Sequence, residues 1–346
     1  MADTNLIKWY EKSGTGADTV ISTRIRLARN LEEFPFPDRC GNELRKKIAD
    51  KVKDAIINSN TAISSRFSVI DMDNISNEEK VSLAERHLVS PEFISSKGNR
   101  QLLLLDDESV SIMINEEDHI RLQVMHEGFD LDSAYELASR IDTLLDERLR
   151  FAFSNTLGYL TQCPTNLGTG MRASVMLHLP ALHAAKAMKK IAENLSKLGL
   201  TIRGAYGEGT EPVAALYQLS NQITLGISEK IAIENLKNIT KQLVEQERIA
   251  REKMAKHIEV QDKIYRAEGI LKSARLIDAS EALTYLSRLR LGVNTGLIKD
   301  ISLDTINRLI VEIQPATLMQ LTGKTLTPQE RDITRAKLIR QEISHQ

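Results

Sequence analysis

The chain of 346 residues carries 46 lysines and arginines against 47 aspartates and glutamates, a formal net charge of −1. That balance argues neither for nor against binding to nucleic acid or a lipid surface, and the length suffices for one large domain and a smaller one. No apolar run approaches the roughly 20 residues that a membrane span requires, and the N-terminal stretch MADTNLIKWYEK has no apolar signal core. The two cysteines, Cys40 and Cys163, lie far apart and outside any metal-type cluster, as is typical of free thiols in a reducing compartment. We expect a cytoplasmic protein with no direct nucleic-acid partner and no membrane contact.

Strand and helix patterns alternate from about residue 100 to residue 227, after a polar arm over residues 1–20. Short apolar runs or two-residue alternation predict strands at Gln101–Leu105, Val110–Ile114, His119–Met125 and Gln222–Ile227. Helical spacing of apolar residues predicts helices at Asp132–Arg148 and Ala181–Leu198, the second followed by Gly199 as a C-cap. Hairpin-like neighbouring strands are typical of an antiparallel sheet with helices packed on it, which is an α+β fold.

The glycine-rich segment after Cys163 can be interpreted as a dinucleotide-binding loop or as a turn that leads into a strand. Gly168-x-Gly170-x-x-Ala173 fits a variant dinucleotide-binding loop, which requires a helix to start inside the motif. The residues from 171 to 180, MRASVMLHLP, instead alternate between two faces, and this predicts a strand with one face buried. We therefore expect Arg172 to point out of a sheet, at the floor of a site for an anionic ligand.

Strand patterns disappear after about residue 228. Glu229–His257 predicts one long charged helix, and the remainder predicts a helical bundle broken near Gly292 and Gly296. The last helix has a complete start signal, formed by Thr327 as N-cap, Pro328 at the first helical position and Glu330 as the capping-box partner. We place a boundary at residue 252, which gives an α+β domain over 1–252 and a helical domain over 253–346.

Arginines recur at strand and turn positions in four separate segments. Arg24 and Arg26 are two residues apart, so a strand would place both on one face; the other segments contain Arg121, Arg172 and Arg203. Several fixed guanidinium groups suit a polyphosphate, because each binds phosphate oxygens bidentately and stays charged, and phosphoryl transfer requires such positioning together with magnesium. For any single arginine, surface salt bridging is the alternative. A Walker A loop is excluded, because Leu318 stands where its first glycine would lie.

Carboxylates occur at two positions suited to holding a guanidinium group. Glu116, Glu117 and Asp118 come just before a predicted strand, and Glu208 lies between two glycines, where the backbone can approach a ligand closely. Two convergent carboxylates could hold a guanidinium and accept its proton as it attacks phosphorus; residues 116–118 could equally form a solvated acidic turn. Cys163 is either an inert small apolar side chain or a thiolate favoured by nearby positive charge. A protease-type Cys–His pair is unsupported, because no sequence feature ties a histidine to this cysteine.

Five segments, in the same order, together resemble the phosphagen kinases, the ATP:guanidino phosphotransferase family. The resemblance covers roughly residues 20–250 and rests on STRIRLAR at 22–29, ERHLVSP at 85–91, NEEDHIR at 115–121, CPTNLGTG at 163–170 and RGAYGE at 203–208. It implies the antiparallel sheet flanked by helices of phosphagen kinases and glutamine synthetase, with ATP and Mg²⁺ as cofactors and no metal site built from protein side chains alone.

The resemblance also implies a role for each matching residue. Glu208 would be the principal base and would orient the substrate guanidinium, Glu117 would be its partner, and Cys163 a thiolate-like contact whose sulfur the Thr165 hydroxyl can hydrogen-bond. Five arginines would hold the ATP phosphates, with His87 near the nucleotide. The set implied for ATP binding is Arg24, Ile25, Arg26, Leu27, Ala28, His87, Arg121, Arg172, Ala173, Ser174, Val175, Met176, Arg203, Gly204, Ala205, Tyr206, Gly207 and Glu208.

Three departures from the small-molecule kinases point to one branch of the family. Only about 20 residues precede the first matching segment, so we expect the helical domain that closes on a small guanidino substrate to be missing. Gly209 follows Glu208 where those kinases commonly have His, and a helical domain is appended at the C-terminus. This architecture is similar to that of bacterial kinases that phosphorylate arginine side chains within proteins.

The last helix carries the sequence RDITRA, in which Arg331 and Arg335 are four residues apart and share a helix face. Taken alone, the pair predicts a solvated, salt-bridged face. The resemblance implies a pocket for phosphoarginine, in which the arginines meet the phosphate and Asp332 the guanidinium, so that the enzyme senses its own product allosterically and docks marked proteins. The implied residues are Arg331, Asp332, Ile333, Thr334, Arg335 and Ala336.

The expected function is therefore phosphorylation of arginine side chains in proteins, which marks them for a Clp-type AAA+ protease and regulates the stress response. An activator protein and a second copy of the chain are expected partners; the apolar helices of residues 262–320 form either a dimer interface or an internal core. One alternative is a small-molecule guanidino kinase, against which the missing N-terminal domain counts. The other is a non-catalytic phosphoarginine-binding adaptor, against which Glu117, Cys163 and Glu208 count.

Overall fold

The computed structural model describes residues 6–95, 98–205 and 212–344, and an antiparallel β-sheet lies at its centre. The strands are β1 (Val20–Arg29), β2 (Phe67–Asp71), β3 (Gln101–Leu105), β4 (Val110–Ile114), β5 (Ile120–Glu127), β6 (Phe153–Ser154), β7 (Gly158–Tyr159), β8 (Met171–His178), β9 (Leu200–Gly204) and β10 (Leu216–Asn221). The sheet has the order β2-β3-β4-β5-β1-β8-β10-β9, while β6 and β7 form a separate ribbon. Each neighbouring pair in the sheet is antiparallel, which confirms the α+β fold expected from the sequence.

Helices cover one face of the sheet and form a bundle at the C-terminal end of the chain. They are α1 (Asn42–Ile57), α2 (Asn77–Glu85), α3 (Pro91–Ser95), α4 (Leu131–Asp146), α5 (Pro180–Ala184), α6 (Met188–Lys197), α7 (Glu229–Met254), α8 (Ile258–Ser273), α9 (Ala279–Asn294), α10 (Leu303–Glu312), α11 (Pro315–Thr322) and α12 (Pro328–Ser344). Val52 of α1, Ile141 of α4 and Leu236 of α7 are buried in one continuous core with the sheet. Within the described ranges, none of these helices is both long and apolar enough to cross a membrane.

Strands β1 and β8 lie side by side and present two different faces. Ile25 and Val175 are fully buried in the core beneath the helices, whereas Arg24, Arg26 and Arg172 lie on the opposite face and are half-buried. This two-residue period is that of a strand. It confirms both the strand predicted after the glycine turn and the shared face predicted for Arg24 and Arg26.

The C-terminal helices cover part of the arginine-bearing face. Met176 of β8 and Leu216 of β10 are buried in the core of the helical bundle, and the His178 imidazole lies 2.8 Å from the Ser287 hydroxyl of α9. The prediction of a single buried face was therefore wrong for the second half of β8, because α9 and its neighbours pack there. The half of this face that carries the arginines stays open.

Two predicted elements have different bounds in the structure. The strand expected at Gln222–Ile227 lies earlier, at Leu216–Asn221, and the chain then leaves the sheet so that the Thr224 hydroxyl can donate to backbone carbonyls of the glycine turn. The helix expected at Ala181–Leu198 is two helices, α5 and α6, because Lys186 between them has a left-handed backbone (φ 55°) that a continuous helix cannot contain. Gly199, with φ 69°, ends α6 as expected.

Gly292 does not break the bundle, contrary to the prediction. It lies inside α9, where a Cβ atom would be 2.6 Å from Ile264 Cγ2 of α8 and 2.8 Å from Ile298 Cγ1. The glycine therefore permits close packing of two helices, and the chain turns only at Gly296, whose φ is 73°. Sequence alone did not distinguish these two glycines, because the difference depends on a neighbouring helix.

Replacing Gly292 with Ala should destabilise the helical bundle. The gain in helix propensity is outweighed by overpacking against two isoleucines, for a net loss of about 1–2 kcal/mol in the free energy of unfolding. Gly269→Ala is the matched control, since that helical glycine of α8 has nothing within 4 Å of an added Cβ, and it should be neutral or slightly stabilising. Urea unfolding followed by the fluorescence of Trp9, which packs with Val311 of α10, measures both. Equal effects of the two substitutions would contradict the packing role.

The C-terminal bundle is joined to the sheet side through α2 and α11. The Glu85 carboxylate of α2 accepts hydrogen bonds from the backbone N–H groups of Ala316 (3.1 Å) and Thr317 (2.7 Å), so it caps the first turn of α11. The capping box predicted at the start of α12 is present, with Thr327 Oγ1 accepting from Glu330 N at 3.3 Å and Glu330 Oε2 accepting from Thr327 N at 2.8 Å. The long helix predicted at residues 229–257 is confirmed as α7. The proposed division at residue 252 falls in its last turns and stays a prediction.

Candidate active site

Three neighbouring strands bring arginines together on the open part of the sheet face. β1 lies between β5 and β8, and the register sets Arg26 opposite Arg172 on one side and Ala28 opposite Arg121 on the other. Arg24 is opposite Ser174. Antiparallel partners on the same face are close enough to interact, so the sheet concentrates four guanidinium groups in one place.

In the part of the chain that the structure describes, three of these arginines carry positive charge that no carboxylate neutralises; the fourth, Arg121, pairs with Glu116 and Glu117. Burial and the neighbouring Arg172 and Arg121 lower the pKa of Arg24 to about 10, and burial together with Arg24 holds the pKa of Arg26 well below its usual value. Among the described residues, no carboxylate forms an ion pair with Arg24, Arg26 or Arg172, and Arg26 Nε is buried without a hydrogen-bond partner. Such a cluster is suited to a ligand that brings several negative charges.

Neutral side chains hold the guanidinium groups in place. Arg24 Nη2 donates to Gln218 Oε1 at 2.8 Å, and Arg172 Nη2 donates to Ser220 Oγ at 3.2 Å. Asn221 Oδ1 accepts from the Ala173 backbone N–H at 2.7 Å, which fixes β10 against β8. These residues orient the arginines without cancelling their charge. Sequence reasoning missed Gln218, Ser220 and Asn221. Gln218 and Ser220 are two residues apart and share a face once Leu216–Asn221 is recognised as a strand, whereas nothing in the sequence indicates the contact of Asn221.

Several residues implied for ATP binding do not present side chains to this face. Ile25, Leu27, Ala173 and Val175 lie in the core beneath the helices; Met176 lies on the same face as the arginines, but the C-terminal helices cover it, so it does not reach the open part. Leu27 and Ala28 line the first cavity described below. Ser174 lies on the arginine face, where its hydroxyl is 3.4 Å from Arg24 Nε.

The acidic turn before β5, residues 116–118, contacts the arginine cluster through hydrogen bonds. Glu116 Oε1 accepts hydrogen bonds from Arg121 Nη1 at 2.9 Å and from the Ser90 hydroxyl at 2.6 Å. Glu117 Oε2 accepts from Arg121 Nη2 at 3.1 Å and from Asn166 Nδ2 at 3.4 Å. The alternative of a solvated acidic turn is therefore wrong for Glu116, which is buried, while Glu117 keeps a partly open carboxylate.

Glu117 lies next to the Cys163 thiol. Burial raises the pKa of Glu117, while the Arg121 guanidinium and a hydrogen bond to the Cys163 side chain act in the opposite direction. The thiol precedes a short 3₁₀ turn at Pro164–Asn166 and lies 3.0 Å from the Thr165 hydroxyl, as expected from the sequence. A carboxylate and a thiol thus meet at the edge of the arginine cluster.

The glycine turn brings the thiol segment against the sheet. Gly168 has φ 108°, and an added Cβ would lie 2.2 Å from the Thr224 carbonyl oxygen; Gly170 has φ 60°, and its Cβ would lie 2.6 Å from the Ala28 carbonyl oxygen. Only glycine tolerates these backbone angles together with such close approach. The turn therefore carries the chain from Cys163 to Arg172, and Thr165, Asn166, Gly170 and Arg172 line one cavity.

Two adjoining cavities share Arg26, Glu92 and Arg121 in their walls. The first, of about 490 Å³, is strongly polar, with a lining that includes Arg45, Arg100, Glu116, Glu117, Gln162, Thr165, Asn166 and Arg172. The second, of about 470 Å³, contains Arg24, His87 and Ala205 together with apolar side chains, including Val81, Val89 and Met113. Each has the size of a small-ligand site.

His87 is held as a neutral group in the second cavity. Burial and the nearby Arg24 charge lower its pKa to about 3, and Gln123 Nε2 donates to its backbone carbonyl at 2.7 Å. Its backbone is left-handed, with φ 61°. A neutral imidazole among apolar side chains suits a planar heterocycle better than a phosphate. Arg45 and Arg100 of the first cavity had no recognisable sequence signal, since only the tertiary fold brings them there.

The remaining predicted site residues are distributed differently. Arg203 lies on β9 opposite Gln218, and its charge contributes to the lowered pKa of Arg172. Gly204 ends the same strand. Tyr206, Gly207 and Glu208 lie outside the described residues. Within the described ranges, no group of three or more His, Cys, Asp or Glu side chains is placed to hold a metal ion.

Part of the RDITRA segment is buried inside the helical bundle. Arg335 is buried and donates to the carbonyl oxygens of Ile313 (2.8 Å) and Ile277 (2.9 Å) and to Asp332 Oδ1 (2.6 Å). Arg331 is half-buried, and Ile333 is 47% exposed. Asp332 therefore pairs with the buried Arg335, while Arg331 is only half-buried. The prediction that Arg331 and Arg335 share one solvated helix face is wrong. Thr334 is half-buried and Ala336 buried.

Family models match both parts of the chain. Residues 47–250 match the ATP:guanido phosphotransferase C-terminal catalytic domain, and residues 257–346 match the protein-arginine kinase McsB C-terminal domain. The first match alone covers more than half of the chain. The chain therefore belongs to the ATP:guanido phosphotransferase family, as the sequence motifs indicated.

Curated relatives identify the branch of that family. A protein-arginine kinase from Halothermothrix orenii is 47% identical over 342 residues, covering 98% of this chain and 97% of the relative. A protein-arginine kinase from Clostridium acetobutylicum is 44% identical over 337 residues, covering 97% and 99%. With this near-complete coverage, the chain is a member of the protein-arginine kinase family.

Solved phosphagen kinases share the fold. Lombricine kinase aligns with a TM-score of 0.59 and 24% identity over 71% of this chain and 70% of its own. The duplicated taurocyamine kinase from Schistosoma mansoni, with bound transition-state-analogue components, aligns with a TM-score of 0.62 and 23% identity over 86% of this chain and 50% of its own. At these identities the likeness concerns the fold alone, and it confirms the expected fold class.

Proposed function

We propose that this protein transfers the γ-phosphate of ATP to arginine side chains of proteins. The observation that carries the proposal is the arginine cluster between two cavities, in which no described carboxylate pairs with Arg24, Arg26 or Arg172; the first cavity is also lined by Glu117. The buried, unpartnered Arg26 Nε fits a phosphate oxygen. The near-full-length similarity to protein-arginine kinases supports an arginine side chain as the acceptor.

ATP would lie across the two cavities. Arg24, Arg26, Arg121, Arg172 and Arg203 would hold the phosphates, with the purine near His87 in the more apolar cavity. Mg²⁺ would be held mainly by the nucleotide, as in sites with few protein ligands, and would neutralise charge on the phosphates; Glu116 and Glu117 of the acidic turn are already bonded to Arg121.

The acceptor arginine would enter the first cavity from the Cys163 side. Glu117 would bind its guanidinium, with Glu208 as the second carboxylate and principal base. The guanidinium nitrogen attacks the γ-phosphorus, ADP leaves, and the proton lost from nitrogen passes to a carboxylate. Because Arg121 bonds both Glu116 and Glu117, it links the donor and acceptor halves of the site.

Replacing Cys163 with Ala should reduce kcat about tenfold, which corresponds to the loss of one polar contact of about 1.4 kcal/mol in the transition state. The KM for ATP should stay unchanged, since the thiol lies on the acceptor side. Cys40→Ala is the matched control, because the Cys40 thiol donates to the Pro35 carbonyl oxygen outside the arginine cluster. Initial rates over a range of ATP concentrations separate the two parameters. Full kcat in Cys163→Ala, or an equal loss in both variants, would contradict the role.

The choice between a protein and a small-molecule acceptor is tested directly with radiolabelled ATP. We expect label to enter an unfolded arginine-rich protein and not free arginine. Labelling of free arginine alone would contradict the proposal and restore the small-molecule kinase. An adaptor without activity would transfer label to neither.

We further propose that the RDITRA segment, Arg331 to Ala336, binds phosphoarginine and thereby regulates the enzyme allosterically. An activator protein, a Clp-type AAA+ protease that degrades the marked proteins under stress, a homodimer and a cytoplasmic location belong to the same proposal. Its basis is the sequence resemblance and the match of residues 257–346. Because Arg335 is tied to Asp332 and two carbonyl oxygens, Arg331 is the arginine of the segment with room for a phosphate. Loss of phosphoprotein binding in Arg331→Ala, without loss of basal activity, tests this part.

A further inference from the structure

A third cavity, of about 360 Å³, lies beside the first and is lined mainly by aromatic and aliphatic side chains, together with Glu32 and Arg39. Its walls include Phe34, Pro35, Phe36, Phe153 and Leu160, and we call this cavity the aromatic groove. Phe153 is 55% exposed and Phe36 is 36% exposed. Large aromatic side chains are costly to leave in water, and concentrated exposed apolar surface is typical of an interaction site.

The aromatic groove is built on the same hydrogen bonds as the acidic turn. Asp118, the neighbour of Glu117, accepts from Asn30 Nδ2 at 2.6 Å and from the Gln162 backbone N–H at 2.8 Å. Asn30 Nδ2 also donates to the Leu160 carbonyl oxygen at 3.0 Å. The wall of the groove and the candidate acceptor carboxylate are therefore held in a fixed relation by one buried side chain.

A narrow ridge separates the aromatic groove from the first cavity. Phe36 and Leu160 line the groove, while Asp38 and Gln162, each two residues further along the chain, line the first cavity. The backbone N–H of Asp38 donates to Gln162 Oε1 at 3.1 Å, which holds the two sides of the ridge together. An extended chain advances about 3.3 Å per residue. A segment laid across this ridge would therefore place side chains two or three residues apart in the two cavities.

Charge on the ridge favours a basic segment. The Asp38 carboxylate is exposed at the entrance to the first cavity, and Glu32 is exposed at the rim of the aromatic groove; Arg39, also exposed, is the one cation of the described residues that lines the groove, so two carboxylates stand against one guanidinium group. These carboxylates attract a chain that carries a guanidinium group. The occupant that fits both features is an extended polypeptide with an arginine near a large apolar residue.

We propose that the aromatic groove binds an aromatic or large aliphatic side chain of the substrate protein, two or three residues from the arginine that is phosphorylated. The inference rests on the proposed function, because it deepens the acceptor specificity of the same site. Large apolar residues are mostly buried in folded proteins. A kinase that binds a large apolar residue beside the acceptor arginine therefore selects segments that are exposed by unfolding.

The test compares two peptides, each with one arginine, that differ only in Phe or Ser two residues away; a second pair places the variable residue on the other side. We expect kcat/KM to be about tenfold higher for the Phe peptide of at least one pair, through a lower KM, as is typical of one buried apolar side chain. Phe153→Ser should remove this preference and leave the Ser peptide unaffected. Ile249→Ser, at an exposed position of α7, should keep the preference.

Each outcome supports or overturns a separate statement. Equal rates for the Phe and Ser peptides with the unaltered enzyme would overturn the groove assignment and leave the proposed function standing. No labelling of any peptide or protein would overturn the proposed function itself. If Phe153→Ser and Phe36→Ser each slowed both peptides equally, the two side chains would be structural, and the groove assignment would be overturned. A change in oligomeric state on Phe153→Ser, with peptide preference intact, would assign the groove to a second copy of the chain and overturn the proposal.

Discussion

Replacing Arg26 with Gln should reduce kcat/KM by about 10³-fold, because a fixed guanidinium at the transferring phosphoryl group contributes that order of stabilisation to the transition state. Arg26 lies between Arg121 and Arg172 on the sheet face and lines both cavities. The same substitution should leave the free energy of unfolding unchanged or increase it. The reason is that it removes a charge that burial and the neighbouring Arg24 disfavour, which is the cause of the lowered pKa of Arg26. Steady-state rates and thermal unfolding measure the two effects.

Arg29→Gln is the matched control in the same strand. Arg29 faces the helices, where it pairs with Asp142 at 2.8 Å and lies over the Tyr159 ring at 3.5 Å. Removing this guanidinium leaves the half-buried Asp142 carboxylate without its cation and should cost about 3 kcal/mol of stability, the lower end of the effect of breaking a buried ion pair. Arg26→Gln should therefore lose activity and keep its stability, whereas Arg29→Gln should lose stability. An Arg26→Gln protein that is inactive only because it unfolds would contradict the assignment of Arg26 to the ligand face.

Replacing Glu117 with Gln should reduce kcat by about 10²–10⁴-fold, the usual contribution of a positioned acid–base group. Glutamine keeps the size of the side chain and an oxygen for Arg121, but it can neither accept the proton nor pair with a guanidinium. The affinity for ATP should therefore be nearly unchanged. Rapid-quench measurement of the chemical step and equilibrium titration with ATP distinguish these effects.

The pH dependence supplies a second check on Glu117. Burial raises the pKa of this carboxylate, so the active, ionised form should be lost at a higher pH than for an ordinary glutamate as the solution is acidified. Glu136→Gln, at an exposed position of α4, is the control and should keep both the rate and the pH profile. A Glu117→Gln protein within threefold of the original kcat would exclude Glu117 from the chemical step.

Local patterns were sufficient for elements whose sequence and surroundings agree. The alternation in Met171–His178 predicted a strand because one face of that strand does pack on the core, and Thr327 with Glu330 predicted the start of α12 because a capping box is formed within one turn. The parity of Arg24 and Arg26 likewise predicted a shared face. In each case the determining contacts lie close in sequence or repeat with a fixed period.

Features that depend on distant partners could not be predicted in this way. Asn166, Gln218 and Arg45 join the site only because the sheet order and the packing of α1 bring separate segments together. Arg335 looks like a solvated helix residue in the sequence, yet it is buried and donates to the carbonyl oxygens of Ile313 and Ile277, which flank other helices of the bundle. The resemblance to the phosphagen kinases assigned roles to most of the arginines, but it carried no information on how neutral partners hold them.

The measurement that tests the central claim most directly is mass analysis of an unfolded arginine-rich protein incubated with this enzyme, ATP and Mg²⁺. The account predicts added phosphate that is lost in acid, since the P–N bond is acid-labile, and that fragmentation assigns to arginine side chains. The Glu117→Gln variant should add almost none. Acid-stable phosphate on hydroxyl side chains, or phosphate found only on free arginine, would contradict the account.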